Sequence, residues 1–378
     1  MSKKEYLSSH LITYIGNKRK LVKEIEKEII KIKDMFGRNI SSLDGFSGSG
    51  VVARMLKYHS GIVFVNDMEP YSYVINQCFL SNPNEEKRDK INEYIQELNN
   101  LDFGIDGAIS KSYAPKDTKD IKEGERAFYT RENALIIDTI RKKIDEYPSE
   151  FFPFLIAPLL VKASIHTNTS GVFKGFHKKN GIGHFGGKDE TNTTSRITKK
   201  LILDIPIYSD QSHECRVIHN NQDINTLIED IPKVDVAYLD PPYNQHPYGS
   251  NYFMLNTILD NKVKDNLSKV SGIPNDWTKS NYNYKMKAHE SMRSLLKNIN
   301  ASYIILSYND EGIISKEELI KMFGELDYDW TLKEIEYQTY RGSRNLKDRK
   351  NKVTEYIWML HRLYEIEEHY CLQSFDKW

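Results

Sequence analysis

Residues 43–56 read LDGFSGSGVVARML, a short run ending in an acid, a turn with three glycines and a second apolar segment. The glycines let the backbone turn tightly and approach a ligand without an intervening Cβ. The pattern predicts a strand, a glycine turn and a helix, which is a signature of nucleotide binding. Because residues 48–53 also match the dinucleotide fingerprint that ends in alanine, the turn alone does not choose between nucleotide ligands.

The segments around this turn predict an alternating α/β fold. Upstream, apolar residues recur at helical spacing at Leu21, Ile25, Ile29, Ile32 and Phe36. Short, mainly apolar runs at 62–65, 234–239 and 303–306 predict strands, the last two buried on both faces, and residues 216–219 are read as a further short strand. Residues 330–340 and 353–360 are expected to pair as a closing hairpin.

Acids follow the first two predicted strands. Asp67 comes after residues 62–65, where a carboxylate can take both ribose hydroxyls of an adenosine. Asp44 precedes the first glycine and could pair with the positively charged amino group of a methionine, a group that no nicotinamide cofactor has. This difference favours a methyl donor over NAD.

A further motif, Asp240-Pro241-Pro242-Tyr243, follows the run 234–239 directly. Each proline fixes φ and lacks a backbone N–H, so the turn is stiff and its carbonyls can accept hydrogen bonds from a ligand. Asp240 and the Pro241 carbonyl could hold the two hydrogens of an exocyclic amino group. Tyr243 could then stack on the ring, as pockets for flipped bases require. A plain Asp-Pro turn is the alternative for the tetrapeptide alone.

Composition sets broad limits. The chain has 378 residues, of which 39% are apolar and 28% charged, as expected of a globular protein with room for two domains. Its longest apolar stretch, 151–161, is too short to span a bilayer and predicts a buried helix. The first residues lack an apolar signal core, so export is not expected. Three cysteines without paired spacing indicate neither a disulfide framework nor a zinc site, and they fit a reducing cytoplasm.

The net charge is zero, but charge is distributed unevenly. Residues 161–200 hold eight Lys or Arg against two acids, and residues 341–352 hold six against one. Within the first segment, 166–179 mixes small polar residues, aromatics and cations, a composition that suits a DNA-contacting hairpin or loop. Solvated surface loops are the alternative reading of both segments. The candidate phosphate contacts are Lys174, Lys178, Lys179, Arg341 and Arg344.

Taken in order, the motifs resemble those of DNA adenine-N6 methyltransferases. They are YIGNK at 14–18, DGFSGSG at 44–50, Asn66-Asp67, Asp223 and the Asp-Pro-Pro-Tyr turn at 240–243. The resemblance is to the Dam-like and restriction-modification group, in which the recognition region lies between the glycine motif and the Asp-Pro-Pro-Tyr motif.

The resemblance implies a Rossmann-like α/β fold of the S-adenosylmethionine-dependent type. Its sheet has seven mostly parallel strands with helices on both faces and a final antiparallel hairpin, and it carries an inserted, mainly helical target-recognition domain. We expect residues 1–82 to form the first part of the catalytic domain, 83–215 the target-recognition insertion and 216–378 the second part of the catalytic domain.

The resemblance also implies roles for single residues. The catalytic residues would be Asp240, Pro241, Pro242 and Tyr243. The residues that bind S-adenosylmethionine would be Tyr14, Gly16, Lys18, Asp44, Phe46, Gly48, Gly50, Asp67, Met68, Asp223 and Asp240. Asp223 would accept a hydrogen bond from the cofactor's adenine, although an aspartate after a short strand is commonly a helix cap. No metal is expected.

Two positions depart from the family pattern. Gly45 stands where the family usually has proline, which is expected to loosen the backbone beside Asp44. Glu69 stands where asparagine is frequent, and it is left outside the predicted cofactor site.

Downstream, residues 244–252 look like a mobile loop that closes over the flipped base, and residues 307–309 are similar to a family motif that lines the same pocket.

The function expected is direct transfer of a methyl group from S-adenosylmethionine to adenine N6 in double-stranded DNA, within a restriction-modification system. A separately acting restriction endonuclease would be the partner, in the cytoplasm of a bacterium or archaeon, with the enzyme acting on the nucleoid and no membrane partner. The alternatives are methylation of RNA adenine or of cytosine N4, an NAD-binding oxidoreductase, and a catalytically silent DNA-binding module. Asp240 favours adenine, because serine typically stands there in the cytosine enzymes.

Overall fold

The apolar runs of the sequence form the strands of one mixed sheet. A computed structural model describes residues 3–9, 12–16, 18–186, 190–209, 214–338 and 352–362. Within these residues the strands are β1 (Ile40–Asp44), β2 (Ser60–Asn66), β3 (Lys178–Lys179), β4 (Ile182–Gly183), β5 (Arg216–Asn220), β6 (Val234–Leu239), β7 (Ala301–Asn309), β8 (Tyr328–Gln338) and β9 (Lys352–Arg362).

Helices connect most of these strands, and several of the helices are short. In the described part of the chain they are α1 (Lys3–Ser8), α2 (Val22–Phe36), α3 (Val51–His59), α4 (Pro70–Phe79), α5 (Glu85–Asn99), α6 (Ala108–Ser112), α7 (Arg131–Ile144), α8 (Phe152–Ile165), α9 (Glu190–Thr198), α10 (Ile224–Leu227), α11 (Tyr248–Asn251), α12 (Phe253–Asp260), α13 (Lys285–Asn298) and α14 (Lys316–Glu325).

The chain divides into two compact units, each built from three segments. The sheet unit comprises Lys18–Met68, Gln211–Pro247 and Lys279–Trp378. The helical unit comprises Met1–Asn17, Glu69–Asp210 and Tyr248–Thr278. The expected division at residues 83 and 215 separates a target-recognition region from a catalytic domain, and this assignment stays a prediction.

The sheet unit contains a seven-stranded sheet in the order β5-β2-β1-β6-β7-β9-β8. The first five strands in this order are parallel, and β9 is antiparallel to both of its neighbours. This confirms the predicted Rossmann-like sheet with its closing hairpin. The strand order reverses between β1 and β6, and in open α/β sheets ligands bind at the carboxyl ends of the strands beside such a reversal.

Strand register gives the sheet one apolar face and a second face that is polar where the parallel strands end. Leu239 pairs with Leu306 across β6 and β7. Both residues belong to a large buried core that also contains Leu43 and Trp358. Because neighbouring residues of a strand point to opposite faces, the other face receives the residues between them. At the edge where the parallel strands end, these are Asp44, Tyr238, Ser307 and Asn309, joined by Glu355 near the amino end of the antiparallel β9.

The helical unit has its own core, built mainly from α4, α5, α7, α8 and α12. Helix α8 contains the apolar stretch 151–161 almost entirely, and Leu155, Ile156 and Leu159 are fully buried. The buried helix predicted there is therefore confirmed. Among the helices of the described residues, none combines the length and apolarity needed to cross a membrane.

A two-stranded hairpin, β3–β4, projects from the same unit's basic segment. Asn180 and Gly181 have φ of 52° and 84°, as a two-residue type I′ turn requires. Asn168, fully buried, secures the base of the hairpin: its Nδ2 donates to the carbonyl oxygens of Ala127 at 2.8 Å and His184 at 2.9 Å. The buried Asn168 thus fixes the position of the base of the hairpin.

The segment after the Asp-Pro-Pro-Tyr turn differs from the prediction of a loop over residues 244–252. Residues 248–251 form α11, and α12 follows from Phe253. Tyr252 is fully buried in the helical unit's core, together with Phe253 and Met254. The loop prediction was wrong for residues 248–252, where Tyr252 packs among side chains distant in sequence, a contact that the local polar composition does not reveal; residues 244–247 have no regular secondary structure.

Candidate active site

The glycine turn connects β1 to α3 as predicted. Gly48 and Gly50 have φ of 49° and 77°, in the left-handed region that favours glycine, and Gly50 is the N-cap residue of α3. A side chain at either position would strain the backbone. The turn therefore needs these two glycines for conformational reasons as well as for access by a ligand.

Gly45 is held more firmly than the sequence suggested. Its N–H donates to the Tyr238 carbonyl at 3.0 Å, and its own carbonyl accepts a hydrogen bond from Asn66 Nδ2 at 3.2 Å. A Cβ at this position would stand 3.0 Å from Leu239 Cδ2, so little space remains for a side chain. The expected loosening of the backbone beside Asp44 is not observed, because β6 and β2 hold the glycine from both sides.

Two residues at the end of β2 tie the neighbouring loops together. Asp67 Oδ2 accepts the Gly48 N–H at 2.6 Å. Asn66 is buried, its Nδ2 also donates to the Gln222 carbonyl at 3.1 Å, and its Oδ1 accepts the Gln222 N–H at 3.1 Å. Sequence reasoning assigned Asn66 no role of its own. The available signal was a polar side chain at the end of an apolar strand.

Asp44 is completely buried, and neither of its carboxylate oxygens has a hydrogen-bond partner among the described residues. Burial raises the pKa of Asp44 well above its usual value, and the negative charges of Asp240 and Asp67 raise it further. The amides of Phe46 and Ala53 oppose this rise without meeting hydrogen-bond geometry. A buried carboxylate without donors is costly, so the site suits a ligand that brings N–H groups.

Two hydroxyls share the polar face of the sheet with Asp44. Tyr238 Oη and Ser307 Oγ are buried and lack a hydrogen-bond partner within the described ranges. Burial raises the pKa of Tyr238 well above its usual value, and the charge of Asp240 adds to the rise. An interaction with Ser307 opposes this rise without meeting hydrogen-bond geometry. Among the described residues, the carboxyl ends of β1, β6 and β7 therefore present polar atoms that make no hydrogen bond.

A buried cluster of three charges lies at the Asp-Pro-Pro-Tyr turn. The Lys18 ammonium is 3.0 Å from Asp240 Oδ1 and also donates to Glu355 Oε1 on β9. The side chains of Lys18 and Glu355 are 4% and 0% exposed, and that of Asp240 is 18% exposed. Burial alone would lower the pKa of Lys18, but the two carboxylates outweigh it and raise this pKa.

Asp240 has an unusual proton affinity for a carboxyl group. Burial raises the pKa of Asp240 to about 7; Lys18 lowers it and Glu355 raises it. Glu355 was not singled out in the sequence, although a lone acid within the apolar strand 353–360 was a usable signal. Since the group titrates near neutrality, its charge is sensitive to both neighbours.

Tyr243 closes this part of the site. Its ring is 5.6 Å from Lys18 Nζ and packs edge-on against Tyr308 at 6.1 Å between ring centroids. Its carbonyl accepts the Ile313 N–H at 2.8 Å, and burial raises the pKa of Tyr243 to about 12. The phenol therefore stays neutral at physiological pH. Pro241 is buried and Pro242 is half-buried in the same turn.

Phe46 and Asp223 lie on the loops after β1 and β5. Asp223 is the N-cap residue of α10, its Oδ1 accepting the Asn225 N–H at 2.9 Å, so the helix-cap reading is confirmed. Phe46 packs edge-on against Tyr282 at 5.3 Å. Burial raises the pKa of Tyr282, and the charge of Asp223 adds to the rise. Tyr282 was missed by the sequence reasoning, and Met68, after β2, is half-buried.

Tyr14 and Gly16 belong to the helical unit, whereas Lys18 belongs to the sheet unit. The Tyr14 ring stacks on Tyr248 and Tyr252, with centroids 4.9 and 4.8 Å apart. The Ile15 N–H donates to Tyr252 Oη at 2.7 Å, and Tyr248 Oη donates to the Ile15 carbonyl at 3.1 Å. These contacts join the loop at 14–16 to helix α11.

The predicted DNA contacts fall into two sets. Lys174, Lys178 and Lys179 are exposed on the helical unit, the last two on β3. Arg341 and Arg344 lie outside the described residues. No cluster of His, Cys, Asp or Glu able to hold a metal ion occurs in the part of the chain that the structure describes.

The chain is similar in sequence to known proteins over most of its length. The sequence model of the D12 class N6 adenine-specific DNA methyltransferases matches residues 14–322. Type II methyltransferase M.NlaIII of Neisseria lactamica is 30% identical over 367 residues, which cover 93% of this chain and 100% of that protein. Type II methyltransferase M.CviAII of Paramecium bursaria Chlorella virus 1 is 31% identical, covering 83% and 88%.

A longer relative is also similar to this chain. Modification methylase StsI of Streptococcus sanguinis is 31% identical over 367 residues, which cover 92% of this chain. The chain spans 52% of the length of that protein. The similarity therefore extends through nearly all of this sequence but through about half of that relative.

Replacing Lys18 with methionine tests the charge cluster. Lys18→Met removes the cation that lowers the pKa of Asp240, so that pKa should rise above its value of about 7. Infrared titration of protein labelled with ¹³C-aspartate, with the Asp240→Asn spectrum subtracted, measures it. Lys20→Met changes an exposed cation of the same loop and should leave the titration in place. A move to lower pH in Lys18→Met would contradict the electrostatics described here.

Proposed function

Because the chain belongs to the D12 class N6 adenine-specific DNA methyltransferase family, we propose that it transfers a methyl group from S-adenosylmethionine to the N6 amino group of an adenine flipped out of double-stranded DNA. The observation that supports this reaction most directly is Asp240, a half-buried carboxylate on a stiff double-proline turn, held 3.0 Å from Lys18. Its relatives are type II and modification methylases, so we also propose a separately acting restriction endonuclease as the partner.

The residues of the sheet unit fit S-adenosylmethionine. Asp44, with both oxygens lacking donors, suits the amino group of the methionine part. The turn with Gly48 and Gly50 allows close approach of the backbone, and Asp67 at its side suits a ribose. Phe46 and Asp223, on neighbouring loops, suit the adenine.

Charge supports the same assignment. Asp44, Asp240 and Glu355 are three acids on the polar face of the sheet, and Lys18 is the cation that pairs with two of them. Three acids beside one cation favour a cationic ligand, because the charge of such a ligand stabilises their ionised forms. When bound, S-adenosylmethionine supplies a methyl group that its sulfonium has already activated.

The proposed work of the Asp-Pro-Pro-Tyr turn is to orient the target nitrogen. The amino lone pair of adenine is delocalised into the ring and is a poor nucleophile. Hydrogen bonds accepted by Asp240 and the Pro241 carbonyl would favour a pyramidal nitrogen in line with the methyl carbon. Tyr243 would stack on the base. With a pKa of about 7, Asp240 is also able to take the proton that the methylated nitrogen releases.

Residues 83–215 are proposed as the target-recognition region. The exposed Lys178 and Lys179 stand on a hairpin whose base is fixed by the buried Asn168, so their backbone is positioned by the fold. A basic hairpin of this size, anchored at its base, suits contact with a DNA duplex. Lys174 lies in the same basic segment, and Arg341 and Arg344 remain proposed contacts from the sequence alone.

Asp240→Asn keeps the size of the side chain and removes its charge. The rate of adenine methylation should fall by about a hundredfold or more, because an aligning electrostatic contact is lost, while S-adenosylmethionine binding is largely retained. Single-turnover assays with tritiated cofactor measure the rate. Asp230→Asn, at an exposed position just before β6, is the control. A rate within a few fold of the wild type would refute the assignment.

Gly48→Val and Asp67→Ala address the cofactor site. Both should weaken S-adenosylmethionine binding in calorimetry, the first by straining a left-handed residue and blocking close approach, the second by releasing the Gly48 N–H. Gly61→Val is the matched control in β2, where the nearest atom to an added Cβ is 3.9 Å away. Unchanged affinity in both variants would place the cofactor elsewhere.

The DNA contacts predict a steep dependence of affinity on salt. Changing Lys174, Lys178 or Lys179 singly to alanine should lower the slope of log affinity against log salt by about one unit if the residue contacts a phosphate. A base-reading residue would instead cost roughly 1 to 3 kcal/mol at the cognate site and relax specificity there. We expect at least one cation of residues 161–200 to be of this second kind.

Binding titrations at several salt concentrations on cognate and scrambled duplexes distinguish these cases. Lys90→Ala on α5, which removes a lysine paired with Glu93, is the control. If the salt slope and the discrimination between cognate and scrambled duplexes are unchanged in the Lys174, Lys178 and Lys179 variants, these lysines belong to a solvated surface and the DNA binds elsewhere.

A further inference from the structure

Glu355 occupies a position where a charged side chain is expensive. It lies in β9 opposite Asn309 of β7 and Ile335 of β8, and it is completely buried. Two residues away on the same face, Ile357 is buried too. A carboxylate removed from water in this way is tolerated when a cation and hydrogen bonds compensate for the lost solvation.

The compensating cation is Lys18, and Lys18 has a second partner. Its ammonium donates to Glu355 Oε1 while lying 3.0 Å from Asp240 Oδ1. An ammonium has three N–H groups, so it can serve both carboxylates at once. One positive charge is thus divided between two negative ones, and the cluster as a whole keeps one negative charge when all three groups are ionised.

The other titratable groups that act on Asp240 do not replace Glu355 in this balance. Asp44 at the end of β1 is a second acid, Tyr238 precedes Asp240 on β6, and Tyr243 belongs to the same turn; both tyrosines are neutral at physiological pH. Lys18 is the cation that lowers the pKa of Asp240. Without Glu355, this ammonium would pair with Asp240 alone and neutralise it.

We propose that Glu355 is a positioning residue that shares the Lys18 ammonium with Asp240, so that the Asp240 carboxylate is paired less strongly with the ammonium and is a stronger hydrogen-bond acceptor for the target amino group. The role of the target amino group rests on the function proposed above. The division of the ammonium between two carboxylates rests on the geometry alone. Glu355 acts through Lys18 and touches no reacting atom.

The direction of the effect follows from the charges. Glu355 raises the pKa of Asp240, and Lys18 lowers it. Removing the charge of Glu355 therefore leaves Lys18 less opposed, and the pKa of Asp240 falls below about 7. Asp240 would then be ionised over a wider range of pH, but as a weaker base and a weaker hydrogen-bond acceptor.

The test compares three variants in the full-length protein without cofactor or DNA. Glu355→Gln keeps the shape and removes the charge, and Glu355→Asp keeps the charge but withdraws it from Lys18. Glu336→Gln makes the first change in an exposed ion pair with Lys352 on the same hairpin. The Asp240 titration is followed by infrared spectroscopy of ¹³C-aspartate-labelled protein, with the spectrum of the matching Asp240→Asn protein subtracted.

We expect the Asp240 titration to move to lower pH by about one unit in Glu355→Gln, by less in Glu355→Asp and not at all in Glu336→Gln. In methylation assays, kcat of Glu355→Gln should fall by about tenfold, and the acid limb of its pH profile should move in the same direction. A residue with a merely structural role would lower the thermal melting temperature without moving either titration.

An Asp240 titration in Glu355→Gln that coincides with that of the wild type overturns the proposal. If Glu355→Gln does not fold, Glu355→Asp decides the matter, since a titration unchanged from the wild type would exclude the sharing of the ammonium. If the wild-type protein methylates no DNA but the Glu355 variants show the expected shifts of the Asp240 titration, the proposed function is refuted and this inference stands.

Discussion

A single ammonium group, that of Lys18, holds the chemically important end of the sheet together. It lies between Asp240, at the end of β6, and Glu355, in the antiparallel strand β9. Both acids are largely removed from water, and without the cation their repulsion would oppose the packing of the strands that carry them. The loop before α2, the Asp-Pro-Pro-Tyr turn and the closing hairpin must therefore converge for the site to exist.

Hydrogen bonds likewise satisfy buried polar groups on the loops that follow β1, β2 and β5. Asn66 and Asp67 satisfy backbone groups of the glycine turn and of the loop after β5, so that loop ends with little regular structure become one hydrogen-bonded surface. Asp44 stands beside this surface without donors of its own. Among the described residues, hydrogen bonds therefore position the loops and leave the Asp44 carboxylate unsatisfied, an arrangement that is rare in a protein core.

Much of the fold was readable from the sequence because its signals are local. Strand, turn and helix at residues 40–59 follow from apolar runs broken by glycines that adopt positive φ. The seven-stranded sheet with its closing hairpin agreed with the family resemblance of the ordered motifs, and the buried helix α8 agreed with the largely apolar composition of residues 151–161. Asp240 and Tyr243 could be singled out because their motif directly follows an apolar strand and its two prolines predict a stiff turn.

Tertiary structure alone decided what those residues contact. The sequence does not show that Glu355, over a hundred positions after Asp240, shares Lys18 with it, nor that Asn66 joins three loops. It also misled at residues 248–252, where polar composition suggested a loop but α11 forms and Tyr252 is buried. Periodicity and turn chemistry depend on neighbours in the chain, whereas the pKa of Asp240 and the fate of a buried tyrosine depend on which distant side chains the fold brings within a few ångströms.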